Sequence, residues 1–237
     1  MPLYTRLLFH LLLFISLLLS IATAAAQPAP VAFGLLDARD LTPTRFVHDS
    51  SAAVVLCDYG TTRIEQGNGY RLQTTFERVL RVKILRDAGT RWGSMSVDVW
   101  SNEQLITFRG CAYSLSNGVV QKRPLDGNAK PVEESGSGHR VYQLTLPDVH
   151  AGSVVEFRYQ VVSYHRTSLK PWQFQHDIPV RWSEYRVAFP RALDFRALLH
   201  GSLPVLPDSV TLAAAPSSLL PSRWDHRWAM RQVPAFV

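Results

Sequence analysis

The chain has 237 residues, of which 46% are hydrophobic, so it can build a packed core and is too apolar for a disordered protein. Its 15 Pro and 13 Gly, together with 11 Phe, 8 Tyr and 6 Trp, fit many short strands separated by turns. The formal net charge is +6, from 25 Lys and Arg against 19 Asp and Glu. The composition therefore disfavours a bundle of long helices.

The first 26 residues have the pattern of a secretory signal peptide. Arg6 precedes an apolar run over residues 7–22, and three alanines at 24–26 provide a small-residue cleavage site before Gln27. As a helix, that run would span only about 24 Å, which is short of the roughly 30 Å apolar core of a bilayer. We therefore expect cleavage after Ala26, export to the periplasm or beyond the cell, and no transmembrane segment in the mature chain.

From Ala52 onward, apolar and polar residues alternate as they do in half-buried strands. The segment SVVEFRYQVV, residues 153–162, has one apolar face, and its other face is expected to be wet. Asn117-Gly118 predicts a type I′ hairpin turn, because both residues readily adopt positive φ, and residues 147–152 predict a second turn.

These patterns predict an all-β fold, an antiparallel β-sandwich over residues 51–237. One or two short helices are expected at its periphery, and residues 36–40 are a candidate for one of them. Residues 27–50 are predicted to form a lead segment and a first edge element.

The basic residues are dispersed along the predicted strands and do not form a run. Examples are Arg71, Arg78, Arg81, Lys83 and Arg86. This spacing predicts a solvated strand face, and export would separate the protein from chromosomes and ribosomes, so nucleic acid is not an expected partner. Attraction to an acidic polysaccharide or an anionic membrane surface stays open.

The sequence has two cysteines, Cys57 and Cys111, both in predicted strands. An oxidising compartment would allow one disulfide between them. Two buried thiols that pack as small apolar groups are the alternative, which is slightly favoured because nothing in the sequence places the two residues side by side.

No recognised catalytic, cofactor or metal-binding motif occurs in the sequence. It lacks G-x-S-x-G, H-E-x-x-H, paired zinc-ligand cysteines and phosphate-binding glycine loops. We therefore predict no catalytic residue, cofactor or metal. Four tryptophans are candidates for a binding face, where they would stack on sugars or on a peptide if exposed, and otherwise belong to the core. They are Trp92, Trp100, Trp172 and Trp182.

Six segments resemble, in this order, a domain of unknown function found at the N-terminal end of exported bacterial transglutaminase-like proteins. They are VVLCDYG (54–60), RVKILRDAG (81–89), CAYSLSNGVV (111–120), LPDVHAGSVVEFRY (146–159), WQFQHDIPVRWSEYRVAFP (172–190) and MRQVPAF (230–236). The resemblance implies a β-sandwich, typical of the Bacteroidetes group, which a transglutaminase-like domain with a Cys-His-Asp triad normally follows. The sequence ends at Val237, before any match to that catalytic domain, so no catalytic residue is carried over.

Together these observations predict a non-catalytic, exported β-sandwich module. It would position or recognise a protein or glycan target of the cell envelope for a transglutaminase-like domain. The alternative is a stand-alone module that binds carbohydrate or the cell envelope, and the chain would then be complete without the enzyme. An enzyme that uses Cys111 with a histidine brought near by folding is the least favoured class.

Overall fold

The computed structural model describes residues 29–42, 50–67, 72–126, 131–164, 169–206, 209–213 and 223–236. The predicted signal peptide and Arg71 lie outside these residues. Strands account for 56% of the described residues and helices for 6%, so the prediction of an all-β protein is confirmed. None of the described helices approaches the length and apolar character needed to cross a bilayer.

The described residues form strands β1 (Ala53–Gln66), β2 (Leu72–Ile84), β3 (Ser94–Val99), β4 (Glu103–Ser116), β5 (Val119–Asp126), β6 (Pro131–Glu134), β7 (Arg140–Thr145), β8 (Val154–Ser163), β9 (Val180–Pro190), β10 (Thr211–Ala213) and β11 (Arg223–Val233). Two short 3-10 helices, Ala38–Asp40 and Asp87–Gly93, accompany them. The first of these lies at the candidate helix over residues 36–40.

The strands form two sheets that enclose the main core. The large sheet has the order β10-β11-β9-β1-β2-β8-β4-β5, and the small sheet has the order β3-β7-β6. Val97 and Leu144 of the small sheet pack in one apolar cluster with Phe108 and Phe157 of the large sheet. The strand pairs are antiparallel, except that β1 and β9 run parallel. We call the face of the large sheet that packs on this core the inner face, and the opposite face the outer face.

Both predicted turns are present, and they play different roles. Asn117 and Gly118 have φ of 50° and 76° and connect β4 to its neighbour β5, as a type I′ turn requires. The turn over residues 147–152 connects β7 in the small sheet to β8 in the large sheet, so it carries the chain between sheets and does not close a hairpin. Asp148 and Gly152 in this turn also have positive φ, 56° and 92°.

Residues 29–42, which we call the N-terminal segment, cover part of the outer face of the large sheet. Phe33, Leu36 and Leu41 pack on Val54 and Val154 there. Within the described residues of 27–50 the chain forms a 3-10 helix and no strand. The sequence predicts that the outer face of β8 is exposed to solvent. This prediction is wrong at residues 154 and 156, which are fully buried because the N-terminal segment covers them.

The prediction of a solvated basic face is wrong at Arg81 and Lys83, which are only 4% and 3% exposed. Arg81 Nη2 donates to Glu156 Oε1 at 2.7 Å, and Lys83 Nζ donates to the carbonyl oxygen of Leu41 at 2.8 Å. These cations are buried because the N-terminal segment lies over them and supplies acceptors. Arg86, by contrast, is exposed as predicted.

The two cysteines are free, buried thiols, so the disulfide considered above is not formed. Cys57 pairs with Arg81, Arg81 with Glu156, and Glu156 with Cys111, each on the next strand of the sheet. Three interstrand spacings amount to about 14 Å, twice the Cα separation that a disulfide tolerates. The alternative of two buried thiols therefore describes the molecule.

Candidate functional site

A cleft with a volume of about 430 Å³ opens beside the small sheet, on the inner face of the large sheet. We call it the groove. Its walls come from β2, β8, the turn between β3 and β4, and the irregular segment 169–176 that leads into β9. The lining residues are Phe76, Arg78, Asp98, Trp100, Glu103, Tyr159, Leu169, Lys170, Pro171, Trp172, Gln173 and His176. This volume is within the usual range for sites that hold a whole small ligand.

Two indole rings line the groove and are held in different ways. Trp100 follows β3, is 44% exposed, and lies 4.6 Å from the ring of His139 between centroids. Trp172 stacks parallel to Tyr185 at 5.1 Å, and its Nε1 donates to Ser183 Oγ at 3.1 Å. The ring also lies directly over Gly60 of β1, where a Cβ atom would be 2.2 Å from a ring carbon. A mid-strand glycine thus permits the close approach of Trp172.

A buried carboxylate fixes an arginine and a histidine side chain at the base of the groove. Asp58 is completely buried and accepts two hydrogen bonds of 2.7 Å from Arg78 Nε and Nη2. His176 Nε2 lies 2.8 Å from Asp58 Oδ2. Burial alone would raise the pKa of the Asp58 carboxyl, but the charge of Arg78 and the hydrogen bond with His176 outweigh burial and lower it. Asp58 therefore stays ionised and holds Arg78 in a bidentate geometry.

Further charges of both signs lie along the groove. Lys170 Nζ is 3.2 Å from Glu103 Oε2, and Asp98 Oδ1 is 2.8 Å from His139 Nε2. The guanidinium carbon of Arg78 lies 5.2 Å from the centroid of the Trp172 ring. The groove thus combines aromatic faces with positioned donors and acceptors, which is the combination that orients a polar ligand while shielding its apolar surface.

The structure brings three of the four candidate tryptophans to one side of the molecule. Trp100 and Trp172 line the groove. Trp92 lines an adjoining cavity of about 310 Å³, which shares Arg78, Gln173 and His176 with the groove. Trp182 is elsewhere: its Nε1 donates to the carboxylate of Glu184, beside Arg227, on the outer face.

Sequence reasoning missed the buried charges of the site. Asp58 stands in the strand VVLCDYG, where a single acid among apolar residues was a usable sign of a buried, paired carboxylate. Its partners Arg78 and His176 lie 20 and 118 residues further along the chain. No local pattern brings such distant residues together.

The described residues offer little support for metal or thiolate chemistry. Among them, no group of three or more His, Cys, Asp or Glu side chains is arranged to hold a metal ion. Burial raises the pKa of both Cys57 and Cys111, whereas a nucleophilic cysteine needs a lowered pKa.

The protein is all-β, and its small sheet packs on a large, mostly antiparallel sheet. A family described as a domain of unknown function with a solved structure, DUF3857, matches residues 72–237, and the chain belongs to this family. The matched residues begin at β2 and leave out β1, although β1 lies between β2 and β9 in the sheet. The fold therefore requires residues that precede the match.

A comparison with solved structures finds a similar fold at very low sequence identity in one protein, the first of the three that follow. A provisionally named protease from Parabacteroides distasonis matches with a TM-score of 0.54 and 9% identity, over 78% of this chain and 36% of that chain. An M1 zinc metallopeptidase from Deinococcus radiodurans has a TM-score of 0.37 and 10% identity, and the match covers 77% of this chain and 40% of that chain. Yeast LTA4 hydrolase in complex with bestatin has a TM-score of 0.33 and 9% identity, and the match covers 82% of this chain and 32% of that chain.

The likeness to the first of these structures concerns the fold alone. This chain spans about a third to two fifths of the length of the three proteins. The chain has no significant match among curated proteins.

Proposed function

We propose that the chain is a non-catalytic binding module of an exported protein and that its groove recognises a protein or glycan target of the cell envelope. The observation that carries the proposal is the pair of indole rings, Trp100 and Trp172, on the walls of one 430 Å³ groove. Aromatic faces bind the apolar faces of sugars or the side chains of a peptide. Arg78 and Lys170 add fixed donors beside them.

In this proposal the module positions its target for a transglutaminase-like domain, in the periplasm or outside the cell. The resemblance of six segments to the accessory domain of exported transglutaminase-like proteins supports that association, and the signal-peptide pattern of residues 1–26 supports export.

A stand-alone carbohydrate- or envelope-binding module is the second candidate. The observation that favours it is the exposure of Trp100, 44%, with His139 supporting the ring from one side. A supported and exposed indole ring is a suitable platform for stacking on a sugar.

Tryptophan fluorescence during titration tests the binding proposal. The probes are a panel of soluble polysaccharides and reduced, carboxymethylated α-lactalbumin as an unfolded polypeptide. For any probe that binds, Trp100→Ala should weaken binding about tenfold or more, as expected for loss of an aromatic anchor. Trp182→Ala is the matched control, because Trp182 lies on the outer face, and it should bind like the wild type.

Two results would contradict the proposal. One is a panel in which every spectrum stays unchanged, and the other is equal weakening by the two variants. The non-catalytic part fails separately, if the purified chain itself hydrolyses or cross-links peptide substrates.

A further inference from the structure

A second cavity, with a volume of about 210 Å³, adjoins the groove at Trp172, which lines both. We call it the side pocket. Residues 169–172 line both cavities, so the two are neighbours separated by this short segment. Six of the fifteen residues that line the side pocket carry large aromatic rings: Trp172, Phe174, Tyr185, Phe189, Phe195 and Trp228.

The size and lining of the side pocket limit what it can hold. Its volume is below the roughly 300 to 1,000 Å³ of sites that enclose a whole small ligand, so it has room for one large side chain. The rings around it already pack on one another, with centroid distances of 5.1 Å from Tyr185 to Trp172 and 6.4 Å from Tyr185 to Trp228. An aromatic or leucine-sized guest would extend this cluster.

The mouth of the side pocket carries apolar residues that have no cover in the described structure. Leu198 and Leu199 are 81% and 58% exposed, and both line the pocket. They belong to an irregular stretch after β9 in which no strand pairing is described. Adjacent exposed leucines at the rim of an apolar pocket are typical of a surface that a partner covers.

The charges around the side pocket are of one sign. Arg196 and Lys170 line it, and none of the described lining residues is acidic. The ammonium of Lys170 is paired with Glu103, which lines the groove. Arg196 is exposed and has no ion pair with another described residue. The mouth is therefore complementary to a negative charge that lies close to an apolar group.

We propose that the side pocket receives an aromatic or leucine-sized side chain of a polypeptide and that a carboxylate beside that side chain meets Arg196. The inference rests on the proposed function and narrows it, because the target then is a polypeptide. An extended chain with its apolar residue in the side pocket would continue past residues 169–172 into the groove. The groove would then contact the polar part of the same chain.

Three small probes separate the features of this proposal. N-acetyl-L-phenylalanine has the ring and the carboxylate, N-acetyl-L-phenylalaninamide has the ring alone, and N-acetyl-L-aspartate has carboxylates without a ring. The readout is the set of indole N–H resonances of the ¹⁵N-labelled protein, assigned with single Trp→Phe variants. N-acetyl-L-phenylalanine should shift the resonances of Trp172 and Trp228 and leave that of Trp182 unchanged. The amide should bind about two- to fivefold more weakly, as expected for loss of an exposed ion pair.

Charge variants at the mouth complete the test. Arg196→Gln should lower the affinity for the acid to that for the amide, whereas Arg191→Gln, in the same exposed stretch but outside the lining, should have no effect. The inference is overturned if the acid shifts neither indole resonance, or if N-acetyl-L-aspartate binds as well as the ring compounds. It is also overturned if a neutral chitin oligosaccharide shifts Trp172 and Trp228 as strongly as the acid does.

Failure of the inference and failure of the proposed function give different spectra. If a member of the panel shifts the Trp100 resonance while no phenylalanine derivative shifts Trp228, the groove binds a target and the side pocket does not. If no probe shifts Trp100, Trp172 or Trp228, both proposals fall.

Discussion

Replacement of Gly60 by alanine tests the close approach of Trp172 to the large sheet, on which one wall of the groove depends. A Cβ atom at position 60 would lie 2.2, 2.7 and 2.8 Å from three carbons of the Trp172 ring. Carbon atoms pack at about 3.5 Å or more, so the ring must move by roughly 1.3 Å. That movement disturbs the stacking on Tyr185 and the hydrogen bond to Ser183.

The magnitude follows from two opposing effects. Alanine loses less backbone entropy than glycine on folding, which favours Gly60→Ala by roughly 0.5 to 1 kcal/mol. Overpacking against a held ring costs about 1 to 3 kcal/mol. Overpacking dominates, because three ring carbons are too close and the ring is fixed by several contacts, so we expect a net loss of about 0.5 to 2 kcal/mol in the free energy of unfolding.

Urea unfolding measures this loss, and Gly136→Ala is the matched control. A Cβ atom at position 136 meets nothing within 4 Å, and Gly136 does not have a positive φ, so that variant should stay within about 0.5 kcal/mol of the wild type. Near-ultraviolet circular dichroism should change in Gly60→Ala and not in the control. The reasoning is refuted if both variants unfold at the same urea concentration and have the spectrum of the wild type.

Two further predictions concern the buried charges. Glu156→Ala removes the carboxylate that lies 2.7 Å from the buried Arg81 and leaves Asp40, at 3.7 Å, as its remaining partner. The change should lower the free energy of unfolding by about 3 kcal/mol, whereas the double replacement Arg81→Met with Glu156→Leu should recover much of the loss. A loss below about 1 kcal/mol for Glu156→Ala contradicts the pairing. Folding lowers the pKa of Asp58, so its contribution to stability is present above the unfolded pKa of about 3.9 and is lost as the pH falls below that value. The free energy of unfolding, measured with urea, should therefore differ less between pH 7 and pH 3.5 for Asp58→Asn than for the wild type. An equal difference for the two proteins would argue against the lowered pKa.

Much of the fold could be predicted because its determinants are local. The alternation in residues 153–162 reflects the side-chain period of a strand, and Asn117-Gly118 reflects the positive φ of one turn type. The parallel pairing of β1 with β9 joins segments more than 100 residues apart and has no local signature. The burial of Glu156 likewise depends on a remote segment, residues 29–42, which lies over the outer face.

The candidate site could be predicted only in part. The tryptophans stood out as residue types, and Trp100 and Trp172 do line one groove. The order of the strands and the path of residues 169–176 bring these two rings together and leave Trp182 on the outer face. Asp58 is also part of the site because folding brings it to Arg78 and His176, which are distant in the sequence.

The central claim is that a target binds in the groove between Trp100 and Trp172. The most direct measurement is the set of indole N–H resonances during titration with whichever polysaccharide or polypeptide of the panel binds. The account predicts that the resonances of Trp100 and Trp172 shift with the same dissociation constant, while that of Trp182 does not move. A shift confined to Trp182, or binding that leaves Trp100 and Trp172 unchanged, would contradict it.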